Sequence, residues 1–149
     1  MLSKKAKYGL KALLYLAEQP AETSTLIADI AAHEHIPKKF LDMILLEMRN
    51  SGVLSSRKGK GGGYSLALPA ERIRIGTIIR LLDGPLAPVL CVSRTAYRPC
   101  DDCTCESACR IRQLMGRVRD ATADILDSTT LADLCRSTEV RELVLHYDI

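Results

Sequence analysis

A chain of 149 residues with 47% apolar and 26% charged side chains is sized for one ordinary domain or a small domain with an appended arm, and none of its apolar runs approaches the roughly 18 residues of a membrane span. Aromatics make up 4%, with no Trp and one Phe, so Leu, Ile, Val and Ala must build the core. The net charge of +3 is unevenly spread: residues 1–80 hold 13 Lys or Arg against 7 Asp or Glu, residues 81–149 hold 8 against 11, and a basic front suits a polyanionic partner.

The start MLSKKAKYGL is basic, but an amphipathic pattern follows it rather than a solid apolar stretch, so no leader peptide is expected. The expected location is cytoplasmic, where thiols stay reduced. Residues 3–18 place Leu10, Leu13, Leu14 and Ala17 at helical spacing, with lysines elsewhere, which predicts an amphipathic helix. Thr23-Ser24-Thr25 offers caps for a short helix over 24–32. His35-Ile36 makes a turn, and Pro37 opens a helix to about Asn50 with Phe40, Leu41, Ile44, Leu45 and Met48 facing inward. Gly52 stops it. Two short helices joined by a tight turn make a helix-turn-helix pattern.

Short apolar alternations at Val53–Ser56 and Tyr64–Leu68 flank Arg57-Lys58-Gly59-Lys60-Gly61-Gly62-Gly63. This predicts a β-hairpin with a flexible cationic tip, a wing. A nucleotide-cradling loop is the alternative, but the Gly-Lys-Ser/Thr ending and the following helix are missing. A helix over 75–83 ends at Gly84-Pro85. Residues 85–108 read as a loop, and a long helix runs from about Glu106 to Asp127 with Ile111, Leu114, Met115, Val118, Ala121 and Ile125 at helical spacing. A short helix follows from Thr129 through Cys135, and another is expected over 138–146. The fold class is mainly α with a small β-hairpin wing, divided into 1–84 (DNA-binding), 85–108 (cysteine-rich loop) and 109–149 (long helix and C-terminal helices).

The second helix of a helix-turn-helix enters the major groove by its N-terminal end, which here carries Lys38, Lys39 and Asp42. The lysines can reach phosphates or guanine edges, and Asp42 can accept from cytosine N4. Arg57, Lys58 and Lys60 on the wing can follow the backbone or enter a minor groove, where Gly61 and Gly62 allow close approach. Lys4, Lys5 and Tyr64 complete the expected DNA-facing set.

Ile36-Pro37-Lys38-Lys39-Phe40-Leu41, Ser51-Gly52-Val53-Leu54-Ser55-Ser56 and Gly59-Lys60-Gly61-Gly62-Gly63-Tyr64-Ser65-Leu66 together closely resemble the Rrf-type winged-helix regulators, the group that includes IscR, NsrR, RirA and CymR. Lys5-Ala6-Lys7-Tyr8-Gly9-Leu10 and Thr129-Thr130-Leu131-Ala132-Asp133-Leu134 fit the same pattern, so the resemblance spans nearly the whole chain. It implies a homodimeric bacterial transcription factor, a repressor, with no enzymatic activity. It also implies that the long helix is the dimerisation helix and that the operator is a palindrome of double-stranded DNA.

The stretch Cys100-Asp101-Asp102-Cys103-Thr104-Cys105-Glu106-Ser107-Ala108-Cys109, with Cys91 upstream, holds five of the chain's 6 cysteines. In a reducing compartment this density favours metal or redox chemistry over a disulfide framework, with an iron–sulfur cluster of two or four irons, or zinc, as cofactor. The resemblance carries the three cluster-binding cysteines of the family onto Cys91, Cys103 and Cys109. Cys100 and Cys105 are extra, and either can supply a fourth thiolate. Some relatives use a His three residues after the last cysteine, but Arg112 stands there; others use a carboxylate in the first helix, and Lys7-Tyr8-Gly9 has none. Thiol oxidation, or sensing of a sulfur metabolite, is the alternative without a cluster. An enzyme or electron carrier using the cluster is the remote one, against which stand the wing, the basic front and the absence of any Ser/His/Asp or paired-carboxylate constellation. Cys135 reads as a core residue beside Leu131 and Leu134.

Overall fold

The computed structural model describes residues 2–137. Helix α1 (Lys4–Ala17) begins where the Ser3 side chain accepts the Ala6 N–H at 3.1 Å. Its inner face is Ala6, Gly9, Ala12, Leu13 and Leu16. Gly9 leaves room there for the Leu82 side chain of α4 (Ile75–Asp83), whose methyl a Cβ would meet. Helix α3 (Lys38–Asn50) contributes Leu41, Ile44, Leu45 and Met48, and these four with Leu13, Ile30, Ile78 and Leu131 are the largest fully buried side chains. Each such aliphatic side chain contributes about 1.5–3 kcal/mol by leaving water.

Helix α2 (Ile27–Glu34) differs from the sequence expectation of 24–32. Leu26 is its N-cap and no side chain caps it. Thr25 is instead taken into the sheet, where its N–H and C=O both pair with Tyr64 at 2.8 Å. The backbone pairing outcompetes a hydroxyl cap because it satisfies a donor and an acceptor at once. His35 closes α2 in the left-handed conformation, φ 54 and ψ 45, and Pro37 then leads directly into α3.

Strands β1 (Leu54–Arg57) and β2 (Gly63–Leu66) form the expected antiparallel hairpin, in register from Leu54 opposite Leu66 to Arg57 opposite Gly63. A 3-10 turn at Ala70–Arg72 leads into α4, and Gly84 at φ 87 ends that helix. A second 3-10 turn, Leu90–Val92, lies in the segment expected as loop. Helix α5 (Arg110–Ser128) starts four residues later than Glu106, because 101–108 is used in turns around the cysteines and the Cys109 sulfur accepts the Arg112 N–H at 3.4 Å. Helix α6 (Leu131–Arg136) opens with a capping box between Thr130 and Asp133. Leu131 is fully buried in the same core as α1 and α3, and its N–H reaches the Ile73 carbonyl at 2.8 Å. The helix expected over 138–146 lies outside the described residues.

Arg80 on α4 grips Asp127 on α5 through two bonds of 2.6 and 2.8 Å. This bidentate pair holds the Asp127 carboxyl below its ordinary value of 3.8. A depressed carboxyl contributes stability that is present above its unfolded value and lost as pH falls through the folded one. Both side chains are partly exposed, at 35% and 45%, so solvent screening limits the effect. Arg80→Leu is expected to cost about 0.5–1 kcal/mol in urea titrations at neutral pH. The gap from the parent should close at high salt and in acid, as Asp127 protonates.

Candidate nucleic-acid interface and cysteine cleft

The tight turn at His35 presents the N-terminal end of α3 to solvent, with Lys38 and Lys39 both exposed. Asp42 lies one turn along, 3.6 Å from the Lys38 ammonium. On the other side of the helix Lys5 pairs with Glu47 at 2.6 Å, while Lys4 is open. The hairpin end carries Arg57, Lys58 and Lys60, all exposed. Gly59 and Gly61, at φ 87 and 76, let that end turn, and the Gly62 N–H closes it on the Gly59 carbonyl at 3.0 Å. Arg49 near the end of α3 donates to Ser56 on β1 at 3.5 Å, so helix and wing are tied. Exposed cations thus stand at the helix tip and at the hairpin tip.

Two residues of the expected set sit differently from the rest. Gly62 is buried inside the turn, where a Cβ would collide with the Arg57 carbonyl. Tyr64 packs half-buried against the core and holds Thr25. Both shape the wing from within. Phe40, expected inside, is 54% exposed and meets Tyr8 edge-on with centroids 6.4 Å apart. Met43 and Leu46 are also exposed on α3, at 70% and 43%. The sequence reading passed over both.

The five clustered cysteines line one cleft of about 400 Å³, together with Val89, Asp102 and Arg112. Cys91 is buried at its floor, Cys103 and Cys109 are half-buried, and Cys100 and Cys105 are exposed. The cleft is lashed to α5: Arg112 donates to the Cys91 carbonyl at 3.3 Å, and Arg119 donates to the Val92 carbonyl. Arg112 thus binds backbone. Ser107 and the Ala108 N–H donate to the Cys105 sulfur and hold its thiol below the usual range. The neighbouring Cys91 pushes the Cys100 thiol up. Cys135 stands apart on α6, where burial raises its thiol. As a donor set, several thiols around one small cleft fit a soft metal or an iron–sulfur group. Among the described residues no three Cys, His, Asp or Glu side chains already converge as a ligand set.

Residues 2–137 match the family model described as Rrf2, iron-dependent transcriptional regulator. The chain belongs to the Rrf2 family. An rrf2-like HTH-type transcriptional regulator from Rhodobacter capsulatus is 44% identical over 137 residues, covering 90% of this chain and 91% of that one. Among solved structures, the global cysteine regulator CymR of B. subtilis superposes with a TM-score of 0.75 at 34% identity, covering 92% of this chain and 97% of the other. IscR of T. potens superposes with a TM-score of 0.74 at 25% identity, covering 99% and 93%. The Rrf2 relatives are transcriptional regulators, not enzymes, and their winged-helix fold is the one described here.

In Rrf2 terms α2 and α3 are the helix-turn-helix, β1 and β2 the wing. Helix α5 leaves Ile111, Leu114, Val118 and Ile125 exposed at 69%, 52%, 41% and 66%, and none of its residues is buried. No helix among the described residues is long and apolar enough to cross a membrane.

Proposed function

We propose that this Rrf2-family chain is a cytoplasmic, homodimeric repressor that grips a palindromic operator with α3 and the wing, and that an iron–sulfur cluster in the cysteine cleft sets its affinity for DNA. Residues 1–84 bind DNA, 85–108 sense, and 109–149 include the dimer helix. The observation that carries the sensing is the gathering of five thiols on one cleft tied to α5. The dimer rests on the exposed stripe Ile111, Leu114, Val118 and Ile125, whose steps of three, four and seven follow a seam between paired helices.

Cys91, Cys103 and Cys109 would hold the cluster, with Cys100 or Cys105 as a fourth ligand. When bound, the cluster supplies reversible electron and iron exchange. The chain's own residues supply the transmission. Cys109 is the N-cap of α5, so the state of its sulfur bears on the first turn of that helix. Arg112 and Arg119 hold the Cys91–Val92 backbone on the same helix. A change in the loop is therefore a change in how α5 sits, and with it the spacing of two α3 helices in a dimer. DNA affinity shifts by the difference between the two forms.

Anaerobic purification with absorption spectra, iron and sulfide analysis tests this. The expected result is a coloured protein with matched iron and sulfide, lost in Cys91→Ser, Cys103→Ser and Cys109→Ser. A colourless, iron-free protein after reconstitution overturns it; zinc in place of iron would make the site a zinc centre. A second reading is favoured by Cys91 and Cys100 lining the same cleft. These two thiols would form a disulfide, giving up two electrons and two protons to hydrogen peroxide, which leaves as two waters. That reading predicts reversible loss of two thiols and no metal.

A further inference from the structure

We propose that Met43, backed by Leu46, reads thymine C5-methyl groups in the major groove and so sets part of the operator sequence. This rests on the DNA-binding reading above and goes further, by naming the residues that read bases. The inner face of α3 is Leu41, Ile44, Leu45 and Met48. At about 100° per residue, the ridge opposite that face is Lys39, Met43, Leu46 and Asn50. The positions to either side are already engaged. Lys38 and Asp42 face each other at 3.6 Å, while Phe40 leans on Tyr8 and Glu47 on Lys5 of α1. The outermost line of the helix is therefore a lysine, two exposed apolar side chains and an amide.

An apolar pair at the crest of an otherwise charged helix end needs an apolar contact. A second copy of this face is disfavoured as its occupant, because Lys38 and Lys39, exposed on the same helix end, would repel their counterparts. Duplex DNA resolves the mixture. Its phosphates take the cations, and the thymine methyl is the apolar group that the major groove offers at base edges. Lys39 one turn before Met43 suits guanine O6 and N7, and Asn50 suits adenine. The half-site should therefore contain a thymine whose methyl touches Met43, with the guanine on the Lys39 side.

Selection from a random duplex pool at low salt gives the preferred site. Each dT is then replaced by dU, which removes one methyl and leaves pairing intact. Binding of the full chain is measured by fluorescence anisotropy. The parent protein should lose about fourfold in affinity at one or two positions per half-site, the value of one methyl withdrawn from apolar contact. Met43→Ala should bind the dT site about as weakly as the parent binds the dU site, and be indifferent to the replacement. Met43→Gln should move the selected base toward adenine. A parent protein indifferent to dU throughout its selected site overturns the proposal, as does Met43→Ala keeping the same sensitivity. A dimer that dissociates on Met43→Ala also overturns it, since the ridge would then be a protein contact. If the parent retards no duplex at low salt, the DNA-binding reading itself falls, and this one with it.

Discussion

A Gly63→Ala variant is expected to lose about 2–4 kcal/mol of stability and most of its DNA affinity. Gly63 opens β2 with φ +147, a conformation that side chains rarely adopt. A Cβ there would collide with the Thr25 carbonyl and sit 3.0 Å from the Leu26 nitrogen. Both obstacles are backbone, so neither can swing aside. Relief requires breaking the Thr25–Tyr64 pairing, two bonds of 2.8 Å that hold the hairpin against the start of α2. The wing would then come loose from the helix-turn-helix. Urea titration and DNA titration of the same variant measure both effects. Gly61→Ala is the comparison: its φ of +76 is unfavourable, but nothing lies within 4 Å, so about 1 kcal/mol is expected. Equal stability for Gly63→Ala and the parent would mean that the hairpin is not anchored through Thr25.

Removing the wing's charge should separate binding from folding. Arg57, Lys58 and Lys60 are all exposed and contribute nothing to the core. The triple substitution to alanine should therefore melt with the parent. If each cation neutralises one phosphate per subunit, the slope of log affinity against log salt should become shallower by about 2.7 per subunit. Affinity near physiological salt should fall by about a hundredfold or more if two copies bind together as proposed, uniformly across sequences, because phosphate contacts carry no base information. An unchanged slope would place the wing away from the duplex.

These two cases mark what a sequence discloses. The bounds of α3 and α4 were legible because aliphatic periodicity ran unbroken into Gly52 and Gly84. The hairpin was legible from its glycines and alternation. The start of α2 was not, since Thr23-Ser24-Thr25 has the chemistry of a cap and only the distant Tyr64 diverts it into a sheet. Phe40 failed for a related reason: helical period places it at the margin of the buried arc, and Tyr8 on α1 draws it to the surface. Met43 and Leu46 lie on the outer ridge among charged neighbours, where apolar residues carry no periodic signal. The cysteine cleft was legible as density, while its internal order was not. Nothing in the spacing says that Cys91 lies beside Cys100, or that Arg112 is occupied with a carbonyl.

The return of the chain after α5 gives that helix a fulcrum. Its Ser128 end is pinned to the winged domain by Arg80, by the Ile75 N–H bonded to the Thr129 carbonyl at 3.0 Å, and by Leu131 in the core. Its Cys109 end is pinned to the sulfur-bearing loop instead. A rod of 19 residues is about 28 Å long, so a tilt of about 10° about its Ser128 end carries the Cys109 end and its loop through about 5 Å. Leverage of this kind links a small rearrangement near the pivot to a displacement of several ångströms at the sulfur-bearing loop, so the two ends of the rod report on each other at different scales.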